Sequence, residues 1–178
     1  AKDVNVASGN INAKGVELTA TSDVTMSGGA VQANTATIQA NGTADDSGFT
    51  MSGGLIDATN TNITSAKAIS QTAGSIVATN TVAKAGADLS LASRTNKLQN
   101  VSIEALDGNA NIVSGNDVED ALNVHTVGIV GKDLTITNVA IGALNDIVID
   151  QNLQANGGIT ITNNETDINL DANSTIKS

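Results

Sequence analysis

His125 is the one histidine in the 178-residue sequence. It is therefore the one side chain whose ordinary pKa lies near neutrality. Imidazole does nucleophilic chemistry when a serine and a carboxylate flank it. His125 follows Val124, an apolar residue of an alternating stretch, so it points outward and reads as a surface residue. Position in the chain assigns it no serine and no carboxylate. Glycoside hydrolysis needs two carboxylates held across a cleft. The 18 Asp and Glu supply carboxylates in number, but no spacing marks out a pair. Lyase chemistry needs clustered acids for calcium plus a base, and Arg94 is the sole arginine. Asp117, Glu119 and Asp120 form the densest acidic group. They read as a solvated turn, holding calcium weakly if at all. The Gly-Gly-x-Gly-x-Asp calcium repeat is absent. Asp45 and Asp46 read as solvated residues of an inserted loop. Ser27–Gly29 and Ser52–Gly54 are Ser-Gly-Gly turns. Phosphate cradles follow a strand and open a helix; these turns recur at one point of a repeat and read as corners. Thr-x-Thr pairs at Thr35/Thr37, Thr59/Thr61, Thr79/Thr81, Thr135/Thr137 and Thr160/Thr162 would bind ice if aligned on a flat face. They shift against the apolar frame, so no clean array follows. The expectation is no catalytic residue, no cofactor-binding residue, no metal ligand, no cofactor and no enzyme activity.

The elements that would position such residues are set by composition. Hydrophobic residues make up 40% of the chain and aromatics 1%: one Phe, no Tyr and no Trp. A thick, near-spherical core normally uses several large aromatics. Val, Ile and Leu are too plentiful for disorder. No apolar run approaches the roughly 18 residues of a membrane helix, so membrane insertion is not expected. Eight basic residues against 18 acidic ones give a net charge of −10, and nine of those ten charges fall within residues 100–178. Such a surface repels phosphate, which disfavours nucleic acid. With no Cys, disulfides and thiolate metal sites are excluded. No signal peptide is visible, and the chain reads as a mature or excised piece.

Repeats decide the architecture. Apolar-x-apolar pairs begin at Val4, Val24, Phe49, Ile69 and Leu89, in steps of 20, 25, 20 and 20. A lone apolar residue follows seven later, at Ile11, Val31, Ile56 and Ile76. A second pair starts twelve after the first: Val16/Leu18, Ala36/Ile38, Thr61/Ile63 and Val101/Ile103. In the fourth unit Val82 falls one place out of frame. The long step is explained by an inserted loop at 41–48. Period-two pairs broken by Gly, Asn, Asp and Ser are short strands joined by corners. Asn and Gly tolerate left-handed geometry there. Three short strands per coil of about 20 residues make an all-β, parallel β-helix, or β-solenoid. Its bore is narrow, which suits Val, Ile, Leu and Ala. Pairs at Leu122/Val124, Leu134/Ile136, Ile147/Ile149, Ile159/Ile161 and Ile168/Leu170, with Ile141 between them, continue less tidily. The reading is a single solenoid over 1–178, regular over 1–103 and less regular over 104–178. A separate sandwich from about residue 105 is the alternative. About eight coils would make a rod roughly 35–40 Å long.

Units such as GVELTATSDVTMSGGAVQA and GKDLTITNVAIGALNDIVI resemble the repeats of filamentous haemagglutinin-like adhesins, two-partner-secreted bacterial exoproteins. The resemblance implies a right-handed parallel β-helix. It also implies a non-enzymatic structural or adhesive segment, extracellular or on the bacterial cell surface. Expected partners are host or cell-surface glycans or proteins. Two alternatives stand beside it: a self-assembling filament or sheath subunit, and a carbohydrate- or ice-binding solenoid. The repeat begins at Val4 and reads as solenoid up to Ile176 with no capping helix. Open ends of that kind predict other coils or copies stacking end to end.

Overall fold

A computed structural model describes residues 1–115, 121–139, 146–164 and 166–178. Among these residues there is no helix. Every strand pairing is parallel, and about eight coils of roughly 21 residues stack as a β-solenoid. The column expected from the repeat forms residue by residue. Val4 pairs Val24, Val24 pairs Phe49, Phe49 pairs Ile69, and Ile69 pairs Leu89. It then runs on through Ala110, Leu134 and Ile159. The parallel pairing thus carries past residue 105 without a change of architecture, as the solenoid reading requires. Phe49, the sole aromatic, is 1% exposed and sits between Val24 and Ile69. One ring fits a bore filled mainly by aliphatic side chains.

The corners differ from the expectation of three separate short strands. In the third and fourth coils single strands, Gly48–Ser65 and Ala68–Ala85, run through the corners, with the register shifting between Met51 and Leu55 and resuming after it. No described residue other than glycine has a positive φ, so the described asparagines do not make left-handed corners. They act through their amides instead. Asn80 donates to Asn60 at 2.9 Å, Asn100 to Asn80 at 3.1 Å, and Asn123 to Asn100 at 3.1 Å. This outward ladder ties four coils together. The fourth coil also corrects the expected frame. Thr81 and Ala83 take the inward seats, stacked on Thr61/Ile63 and under Val101/Ile103, and Val82 faces out. Over Asn80–Ala85 the frame does not slip; a buried threonine hides it.

A second departure lies where the Ile11–Val31–Ile56–Ile76 column ends. Asn96 follows, wholly buried, and exchanges two 2.8 Å hydrogen bonds with the buried amide of Gln71. Asn96 Oδ1 also accepts from the Ile76 amide at 2.9 Å. Both amides are therefore satisfied, which is the condition for burying them. The inserted loop occupies residues 41–47. It closes on itself through Ser47, whose hydroxyl donates to the Ala44 carbonyl at 2.7 Å. Gly48 already belongs to the next strand.

Candidate functional site

Ser102, His125 and Asp150 each follow a buried residue, Val101, Val124 and Ile149 respectively. Period two therefore turns all three outward onto one face. Coil stacking sets them in line. Ser102 pairs directly with His125. Leu122 pairs with Ile147 and Asn123 with Val148, and Asp150, the first residue past that strand, comes level with His125. The side chains meet. Ser102 Oγ lies 2.7 Å from His125 Nε2, and His125 Nδ1 lies 3.1 Å from Asp150 Oδ1. The imidazole is 13% exposed and the carboxylate 32%. An ionised carboxylate only accepts, so Nδ1–H donates to Asp150, and in the neutral imidazole Nε2 is then the acceptor for the Ser102 hydroxyl. This is the connectivity of a proton relay from a hydroxyl through imidazole to a carboxylate.

His125 thus lies on the outside, as its place after Val124 predicts, but it is not isolated. Sequence reasoning assigned it no partners because they lie 23 and 25 residues away. The signal that finds them is the coil register: each is the residue after an inward apolar one.

The surroundings are specific. Glu104, two residues beyond Ser102 on the same strand, holds Lys84 of the preceding coil at 3.3 Å. Lys84 and Glu104 also line a groove of about 270 Å³ with Leu106 and Ala66, and the three relay residues lie outside it. On the other side of Ser102 stand Asn100 and Asn123 of the amide ladder.

The remaining candidates separate from this site. Asp117, Glu119, Asp120 and Ile141 lie outside the described residues. Asp45 pairs with Lys67 at 2.9 Å, which fastens the inserted loop to the next coil. The Lys67 hydrogen bond, and then its charge, hold the Asp45 carboxyl below its ordinary pKa. Asp46 is exposed. The Ser-Gly-Gly turns do stack as corners: Gly29 and Gly54 have φ of 71° and 85°, with Gly9 and Gly74 continuing the column. Thr135/Thr137 pair in register with Thr160/Thr162, an array two coils deep. Elsewhere the Thr-x-Thr pairs break up, since Thr61 and Thr81 point inward.

Compared with protein-family models, with curated proteins and with solved structures, the chain matches none. The class rests on strand pairing: the chain is a parallel β-solenoid.

Proposed function

We propose that the chain is a structural, adhesive β-helix segment of a bacterial surface or secreted exoprotein, of the filamentous haemagglutinin-like kind. The observation that supports this most is the stacking itself. A continuous dry column from Val24 to Leu134 places the chain's apolar residues in a rod rather than around a cavity. A rod spaces and presents surface. Its outward rows of Asn, Thr and Ser supply hydrogen-bonding groups for glycans or proteins. Purified protein on beads should retain host cells, and a glycan or protein ligand should compete. Failure to bind cells, glycans and surface proteins alike would overturn the adhesive reading.

The filament reading is favoured by one observation. Ile168, Leu170 and Ile176 continue inward columns but are 47%, 53% and 46% exposed. A further coil stacked there would cover them, whether from a longer chain or from a second copy. Electron microscopy across concentrations tests this: fibres that lengthen with concentration support the copy, and uniform short rods remove it.

A further inference from the structure

We propose that Ser102, with His125 and Asp150, is an acyl-accepting nucleophile for neutral carboxylic esters. The site adds chemistry to one face of the rod and departs from the expectation of a chain without catalysis. Three observations carry it. The relay has both of its hydrogen bonds, at 2.7 and 3.1 Å. The three residues come from three successive coils: Ser102 and His125 are paired across adjacent strands, and Asp150 immediately follows the strand Ile147–Ile149 that stacks on the His125 strand. Two residues along the Ser102 strand, Glu104 lines a separate groove whose Leu106 and Ala66 offer apolar surface to an acyl or alcohol chain that extends that far.

The chemistry balances without a further reactant except water. Ser102 Oγ bonds to the ester carbonyl carbon while its proton passes to His125 Nε2. The tetrahedral adduct collapses, the carbon–oxygen bond to the alcohol breaks, and Nε2 returns the proton to the leaving alkoxide. Water then attacks acyl-Ser102, with Nε2 again taking the proton, and the carboxylic acid and free Ser102 result. Asp150 holds the imidazole in the required tautomer and faces the imidazolium that forms.

Charge selects the substrate. Asp150 stands behind His125, Asp171 follows Asp150 at the next coil, Glu104 is paired with Lys84, and the chain carries −10 overall. An anionic ester would be repelled, so a neutral one is specified. The expected rate is low. In a parallel ladder the backbone N–H groups are spent on neighbouring strands, so the strand bearing Ser102 offers no pair of donors to the oxyanion. Losing one such donor costs about 10²–10³ in rate. Covalent labelling is therefore the better readout than turnover.

The whole chain should be incubated near neutral pH with a fluorophosphonate and, separately, with p-nitrophenyl acetate. Intact mass should show one adduct per chain, mapped to Ser102, and a burst of about one equivalent of p-nitrophenol. Ser102→Ala should abolish both. His125→Gln should slow labelling by about a hundredfold or more, and Asp150→Asn should slow it less. All three side chains face out, so circular dichroism should show each variant folded. If a variant does not fold, the position of the adduct on the native chain still tests the proposal: it should map to Ser102 and to none of the other serines. No adduct on the native chain, an adduct that persists in Ser102→Ala, or a rate indifferent to His125→Gln would each overturn the proposal. The three residues would then merely fasten coils together.

Discussion

Thr61 and Thr81 stack in register inside the bore, and neither hydroxyl has a hydrogen-bond partner. A buried, unpartnered hydroxyl costs about 1–3 kcal/mol. Thr81→Val keeps the shape and removes the cost. It should raise stability by about 1 kcal/mol, seen as a higher denaturation midpoint with an unchanged m-value. A lower midpoint would mean that the hydroxyl has a partner, such as a trapped water shared with Thr61. The same pair shows why the fourth unit reads poorly in sequence. Threonine favours strands on either face, so its letter does not say which way it points, and Val82 draws the frame to itself. The relay was legible to the same degree. Val101, Val124 and Ile149 announce their inward seats, and Ser102, His125 and Asp150 follow them. What the letters lack is the coil length between these residues. Steps of 23 and 25 differ from the 20 of the regular coils, so a fixed repeat aligns the wrong neighbours.

Corners and columns are the elements on which the coils depend. Gly29 has φ of 71°, and a Cβ there would lie 2.6 Å from the Gly9 carbonyl oxygen. Gly29→Ala meets both the left-handed penalty, about 1–2 kcal/mol, and a clash with rigid backbone. The expected result is a loss of at least that size in chemical denaturation, and a neutral outcome would show the corner free to repack. Ile69 tests the column. It is 1% exposed, with Phe49 and Leu89 on either side. Ile69→Asp buries an unpaired carboxylate and should cost several kcal/mol, whereas Ile69→Val should cost about 0.5–1.5 kcal/mol. Equal effects from the two would place residue 69 outside the core. The apolar column was readable because a stacked bore demands an aliphatic side chain at the same seat of every coil, and neither a helix nor a solvated loop imposes that recurrence. The Asn96–Gln71 pair was not, since a buried amide is spelled like an exposed one and only its partner across 25 residues reveals it.

Stacked coils touch only their neighbours, so the molecule's stability is nearly a sum of coil terms and interfaces between adjacent coils. Those terms are unequal. Along the corner that begins with Ile11, Val31, Ile56 and Ile76, the later coils seat Asn96, Ser114 and Asn138, all wholly buried. Each replaces a transfer gain of about 1.5–3 kcal/mol for an aliphatic side chain with polar pairing whose net worth is about 0.5–1.5 kcal/mol. The middle coils, Gly48–Ala105, include the two longest strands, Gly48–Ser65 and Ala68–Ala85, and have a neighbour on both sides. In the last coil Ile168, Leu170 and Ile176 remain about half exposed. Acidic residues concentrate in the same half, and their mutual repulsion adds to the difference. Opening should therefore start in the last coil and travel back toward the middle, rather than occur all at once. Native-state hydrogen exchange should show the strongest amide protection in Gly48–Ala105 and the weakest in Ile159–Lys177. Salt should raise protection in the acidic half more than in residues 1–99, because screening relieves repulsion where like charges crowd. Uniform protection from first coil to last would mean a single cooperative unit, and the additive account of the rod would fail.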